Sequence, residues 1–211
     1  MSSPEERIRE LARQRTIDDA AAAQLLDAVR PVPRPSPYDP LARLSPAVAC
    51  GIGLLASLVL VALGRLHIRT DGVLDLHVGR APVPLSVAAI DQLVAWPLSA
   101  LVVWGVARLL ARGVRIVDVL ATVALGRVPH AVLGIPLALL TPGAGVVRGP
   151  VLYLILALAL AVFGAQVLLL GFGFRTATGL RGGKLAVALV GGLVAAEIVS
   201  KIVLSLARPF A

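Results

Sequence analysis

The sequence predicts an all-α integral membrane protein, a bundle of five transmembrane helices with a short soluble N-terminal helical hairpin. Hydrophobic residues make up 58% of the 211 residues and charged residues only 15%, and the mean hydropathy is +0.90. Soluble domains are nearer to half apolar and a quarter charged. Five apolar runs each exceed the roughly 18 residues that distinguish a spanning helix from a buried core helix.

The N-terminal tail, residues 1–29, is polar and is predicted to form two short helices over residues 4–14 and 16–29. Thr16 and Asp19 have the spacing of a capping box, in which a hydroxyl and a carboxylate satisfy free N–H groups of the first turn. Residues 30–44 form a proline-rich linker containing "RPVPRPSPYDP". These prolines exclude a helix and predict an extended, semi-rigid spacer.

The transmembrane domain is predicted to cover residues 45–211, with spans over residues 45–63, 85–110, 116–140, 150–172 and 184–206. Helices are required because lipid offers no hydrogen-bond partners to open backbone groups. Basic residues favour the cytoplasmic side of a membrane. With the N-terminus inside, the inner side carries Arg34, Arg43, Arg108, Arg112, Arg115, Arg175, Arg181 and Lys184, and the outer side carries Arg65, Arg69, Arg80, Arg148 and Arg208.

The loop between the first two spans contains an Asp71-Gly72 pair, which is typical of a two-residue type I′ turn. Such a turn pairs Thr70 with Val73 and places His67 and His77 on opposite faces. For this reason no metal site is expected from these histidines and the nearby aspartates, and no cofactor is expected anywhere in the chain.

The net charge of +8 comes almost wholly from arginine, because lysine occurs only at Lys184 and Lys201. Most arginines lie between apolar runs, where they indicate topology and contact lipid headgroups. Most aromatic residues lie inside the runs, whereas nucleic-acid binding needs exposed rings beside a basic patch. The expected partner is therefore the lipid bilayer and not nucleic acid.

Signatures of catalysis are missing from the sequence. It contains no Gly-x-Ser-x-Gly, no His-Glu-x-x-His and no P-loop. The Gly-x-Gly at the start of "GFGFRTATG", residues 171–179, follows a long apolar helix instead of a strand, so it does not indicate nucleotide binding. We therefore expect no enzymatic activity.

Ionisable residues inside the runs are the candidate site, because each costs about 2.5–3.5 kcal/mol to insert. By helical rise, His130 lies roughly 15 Å inward from Leu140 and Glu197 roughly 14 Å inward from Leu206. Arg127 lies one turn deeper than His130, and Pro129 between them predicts a kink. Glu197 is expected to meet His130 and Arg127, while Lys201, also able to pair with Glu197 at i, i+4, is expected to meet Asp91. Two interpretations stay open, a structural fixing of helix register and a solute, proton or lipid site.

Small residues every four positions predict close helix packing. The fifth span carries one such row and the fourth span a second, which is expected to receive it. The charged residues of the fifth span point away from its small-residue row, so this span is expected to be the central helix. The two rows are Ala188, Gly192, Ala196 and Ser200, and Ala157, Ala161 and Ala165.

The segments "LATVALGRVPHAVLGIP" at 120–136 and "FRTATGLRGGKLAVALV" at 174–190, together with five spans and an inner N-terminus, resemble the Yip1 family of small membrane proteins. That resemblance implies the five-span architecture. The tail stretch "IDDAAAAQLLDAV" at 17–29 resembles SHOCT-type oligomerisation helices of bacterial membrane proteins, although Arg15 stands where such motifs often place glycine.

These observations favour a non-enzymatic membrane-organising or adaptor protein of the bacterial inner membrane, Yip1-like, whose tail mediates self-association or binds a membrane-protein partner. The alternative is a small transporter or channel subunit that uses the intramembrane polar cluster. An intramembrane enzyme is the least favoured interpretation.

Overall fold

The computed structural model describes residues 4–29, 39–70, 72, 74, 76–79, 81–141 and 149–207. The chain divides into two compact units, Met1–Pro35 and Ser36–Ala211. Most of the predicted proline-rich linker, residues 30–38, lies outside the described residues.

The N-terminal unit consists of helix α1, Pro4–Arg13, and helix α2, Asp19–Val29. The helices pack against each other, with Ile8 and Ala22 buried. The predicted capping role of Thr16 is wrong, because the carboxylate of Asp18 accepts the N–H of Ala21 at 2.6 Å and so caps α2. Between the helices Arg15 has φ +55°, the left-handed conformation that glycine adopts most easily.

The second unit contains helices α3 to α8, with bounds Pro46–Leu63, Leu85–Leu110, Ile116–Leu125, Val128–Leu140, Pro150–Thr178 and Gly182–Ala207. Because α5 and α6 are two halves of one segment, these helices form five segments that are long and apolar enough to cross a membrane. The five predicted spans are therefore confirmed as helices. Helix α7 continues beyond residue 172 to Thr178, and the following Gly179 has a φ of +69°, which suits a helix C-terminus.

The third segment is interrupted at residues 126–127, between α5 and α6. Here the N–H of Arg127 bonds the carbonyl of Ala124 at 3.0 Å, a tighter turn than that of an α-helix, and Pro129 lacks the N–H that a regular helix uses. This segment packs on α3, α4 and α7, and 61% of its most apolar stretch is buried, against 33% for the fifth segment. The prediction that the fifth span is central is therefore wrong.

The loop between α3 and α4 contacts α8, because the N–H of Leu74 donates to Glu197. A loop therefore covers this side of α8, where the sequence led us to expect another helix. Strand β1, Ile68–Arg69, pairs antiparallel with strand β2, His77–Val78, with Arg69 opposite His77. The predicted two-residue turn at Asp71-Gly72 is therefore wrong, since seven residues connect the strands. Leu74 lies in this connection and packs against the apolar core, which draws the loop onto the helices.

Indole groups and a buried carboxylate join neighbouring elements. Trp96 of α4 donates its indole N–H to Leu120 of α5 at 3.2 Å, and Trp104 donates to Val114 at 3.0 Å. Before α3, Asp39 is buried, accepts the N–H of Leu41 at 3.0 Å and accepts the hydroxyl of Thr176 on α7. The end of the predicted linker, from Asp39 onward, thus packs on the helical domain.

Candidate functional site

Arg127 is the most unusual residue of the helical domain. It lies at the break between α5 and α6, where it precedes the first turn of α6, and only 1% of its surface is exposed. All three guanidinium nitrogens are buried, and within the described residues none has an acceptor within hydrogen-bond distance. Buried polar groups are nearly always hydrogen-bonded. This guanidinium is therefore the strongest indication of a site in the structure.

His130 and Gln166 are buried at the same level. His130 follows Arg127 at i+3, so both project from one side of α6, and each has 1% of its surface exposed. On α7, Leu170 packs against Gly126, since a Cβ on that glycine would lie 2.9 Å from the leucine side chain. Gln166 lies one turn away from Leu170 on the same face of α7, toward His130, and is also 1% exposed.

Glu197 is held mainly by groups that the sequence did not place beside it. Its carboxylate accepts the N–H of Leu74 at 3.3 Å, lies against Gly72 and pairs with the Lys201 ammonium at 3.7 Å. Glu197 also attracts Arg127 electrostatically, but no guanidinium nitrogen of Arg127 is hydrogen-bonded to it. The pairing expected between these two residues is therefore not seen as a hydrogen bond in the described structure.

Asp91 belongs to a second polar group, formed by α4 and the loop. Its buried carboxylate pairs with Arg69 at 3.3 Å, and the neighbouring Gln92 donates to the hydroxyl and carbonyl of Thr70 at 2.6 and 3.0 Å. Beside them lies a cavity of about 10 Å³, room for about one water molecule. The expected cluster of Asp91 with Lys201 is corrected accordingly, since the ion pairs shown are Arg69–Asp91 and Lys201–Glu197.

The small-residue row of α8 is buried. Ala188, Gly192, Ala196 and Ser200 all lie on its covered face, and a Cβ on Gly192 would lie 3.5 Å from Val103 of α4. On α7, by contrast, Ala157 and Ala161 are exposed and Ala165 is half-buried. The prediction that this second row receives α8 is wrong, because α8 packs along α4 instead.

The sequence reasoning missed Arg69, Thr70, Gln92 and Gln166. Gln92 and Gln166 could have been found, because each is a polar side chain inside an apolar run. Arg69 and Thr70 gave no such signal, since they lie in a loop whose path depends on its tertiary contacts. The described residues contain no group of three or more His, Cys, Asp or Glu placed to hold a metal ion.

Among the charged residues near the break between α5 and α6, Arg127 is the one whose charge is not matched within the described part of the chain. The Arg69–Asp91 and Lys201–Glu197 pairs each match a cation with a carboxylate. Arg127 has no ion-pair partner of its own, and a stranded charge in a low-dielectric interior costs several kcal/mol. The arrangement can therefore stabilise additional negative charge near the break between α5 and α6.

No family model matches the chain, and no curated protein or solved structure is significantly similar to it. Its class rests on its own features, the five apolar helices that suggest a multi-pass membrane protein.

Proposed function

We propose that this chain is a non-enzymatic adaptor that organises the bacterial inner membrane, of Yip1-like type, with its N-terminus in the cytoplasm. Five segments suited to cross a membrane support the anchoring role, and the resemblance to Yip1 proteins supports the architecture. The N-terminal helical pair is the proposed interaction module, and its partner is a second copy of this chain.

The observation that carries this proposal is the incomplete burial of the helical pair. The unit Met1–Pro35 is compact, yet Leu11 and Leu25 have 38% and 43% of their surfaces exposed. A unit of this size buries too little apolar surface to be stable alone. Association that covers these leucines provides the missing burial, at about 25 cal/mol per Å² of apolar surface.

The charge pattern of α1 supports a second copy as the partner. Glu5, Glu6 and Glu10 alternate with Arg7, Arg9 and Arg13 along the helix, and Glu10 already contacts Arg13 at 3.3 Å. An antiparallel pairing of two such helices places acidic groups opposite basic ones, which favours self-association over binding to a strongly charged partner.

The test is the oligomeric mass of the intact chain in mild detergent, measured by native mass spectrometry. We expect a dimer for the wild type and a monomer for the Leu11→Ser, Leu25→Ser double variant. Gln24→Ser changes an exposed polar residue of α2 and should remain dimeric. If the leucine variant, or a chain lacking residues 1–29, is still a dimer, the proposal is contradicted.

A second candidate function, a small transporter or channel subunit, is favoured by the broken third segment and the buried Arg127. In transporters, half-helices commonly end at the substrate site. Water access to Glu197 separates this candidate from a purely structural cluster. In a Cys50→Ser background, Glu197→Cys should react with a membrane-impermeant maleimide if a water-filled path reaches it, and should be protected if the bundle is closed.

A further inference from the structure

Two features that favour negative charge occur at the break between α5 and α6. The Arg127 guanidinium is buried, and within the described residues its nitrogens donate no hydrogen bond. Arg127 also directly precedes the first turn of α6, a 13-residue helix, and the N-terminus of a helix attracts anions through its dipole and free N–H groups. Both features therefore raise the positive potential around the break between α5 and α6.

Glu197 does not fill this role in the observed arrangement. It attracts Arg127 from a distance beyond hydrogen bonding, while its carboxylate is engaged by Lys201 and by the N–H of Leu74. Glu197 is therefore engaged by other groups and forms no hydrogen bond with the Arg127 guanidinium. A negative charge beside the guanidinium would compensate the buried charge of Arg127.

We propose that Arg127, with the first turn of α6, forms a binding site for a small inorganic monoanion of the chloride class. The guanidinium provides charged donors in the low-dielectric interior, where hydrogen bonds to ionised groups are strongest. His130 and Gln166, both buried at this level, complete the polar lining.

The surroundings set the size and charge of the ligand. Leu170 packs closely on Gly126, and a Cβ on Gly173 would lie 2.8 Å from Thr122, so α5 and α7 approach each other tightly here. A phosphate or a lipid headgroup is too large for such a position and carries more hydrogen-bonding oxygens than the few buried polar groups here can satisfy. A halide needs only a few donors and one compensating positive charge.

The test compares thermal unfolding of the full-length protein in sodium chloride and in sodium gluconate at equal ionic strength. Because a ligand that binds only the folded state stabilises it, chloride at a hundredfold excess over its Kd should raise the melting temperature by roughly 5 °C. Nitrate should act similarly, and sulfate should resemble gluconate. Equal melting temperatures in chloride and gluconate would overturn the proposal.

Arg127→Gln should remove the chloride-dependent rise, whereas Arg175→Gln, at an exposed position near the end of α7, should retain it. In gluconate, Arg127→Gln should be at least as stable as the wild type, because it removes an uncompensated charge. A large loss of stability in gluconate would instead assign Arg127 to a structural ion pair and overturn the anion site.

If Arg127→Gln does not fold, chloride binding to the wild type is measured directly by the line width of its ³⁵Cl resonance. Saturable broadening supports the site, and broadening that grows without saturation overturns it. The outcome is independent of the tail-mediated association proposed above, since neither Leu11 nor Leu25 is changed.

Discussion

Glu197 illustrates how a single partly buried carboxylate stabilises the fold through several partners at once. It accepts a backbone N–H from the loop, pairs with Lys201 and lowers the electrostatic cost of burying Arg127. Lys201 has 42% of its side chain exposed, so its ammonium can reach the membrane interface when its partner is lost. Glu197 is therefore expected to contribute more to the stability of the fold than Lys201.

We expect Glu197→Ala to lower the free energy of unfolding by about 1–3 kcal/mol, because it removes the acceptor of the Leu74 N–H together with its charge. Lys201→Ala should cost less than about 1 kcal/mol, the range of exposed pairs. The measurement is denaturant unfolding of both variants in the same detergent. Equal losses would show that the Lys201 contact, and not the loop or Arg127, accounts for the role of Glu197.

Single residues also show why the site was only partly predictable. The cost of burying charge identified Arg127, His130, Glu197 and Asp91 from the sequence alone. Their partners were not predictable, because Leu74 and Arg69 reach Glu197 and Asp91 from a loop. A loop backbone N–H leaves no signature in a sequence, and helical depth gives no information about rotation around a helix axis.

At the scale of helices, α3 and α5 approach each other most closely at Gly53. A Cβ at this position would meet the Cβ of Ala124 and lie 2.7 Å from the Ala124 backbone carbonyl. Backbone atoms of a packed helix cannot move aside as a flexible side chain can. Gly53 therefore allows α3 to pack directly on α5, the first half of the third segment.

We expect Gly53→Ala to destabilise the protein by about 1–3 kcal/mol through overpacking. Gly51→Ala is the matched control, because Gly51 lies two residues away on the same helix with no atom within 4 Å of its Cβ position. Alanine there should be neutral or stabilising by up to about 1 kcal/mol, from helix propensity. The measurement is thermal unfolding of both variants. A Gly53→Ala variant as stable as the wild type would mean that α3 and α5 can separate enough to accept the added methyl group.

The existence of each helix was easier to predict than the identity of the helices that pack against it. Length and hydropathy determine whether a segment spans, so all five segments were found. The small-residue row of α8 indicated a packed face, but such a row fits any close neighbour, and α4 rather than α7 occupies it. The break between α5 and α6 was partly foreseen, because Pro129 removes a backbone donor.

For the whole molecule, an odd number of spans places the two termini on opposite sides of the membrane. Basic residues of the predicted inner side are exposed in the described structure, including Arg108, Arg112, Arg115 and Arg181. On the predicted outer side, Arg69 is paired with the buried Asp91 and contributes little net charge to the surface. This pairing increases the charge difference between the two ends that determines orientation.

We therefore expect an inner N-terminus and an outer C-terminus. Reporter fusions after Arg43, Gly113 and Thr178 should be active on the cytoplasmic side, and fusions after Gly145 and Ala211 on the outer side. The physical reason is the cost of moving clustered arginines across the hydrocarbon core, which the membrane potential increases. If the fusions after Gly113 and Thr178 are both active on the outer side, the topology is the reverse of the one predicted. Replacing Arg108, Arg112 and Arg115 with glutamine should weaken the bias and yield mixed reporting at Gly113, whereas the same change at Arg69 should leave it intact.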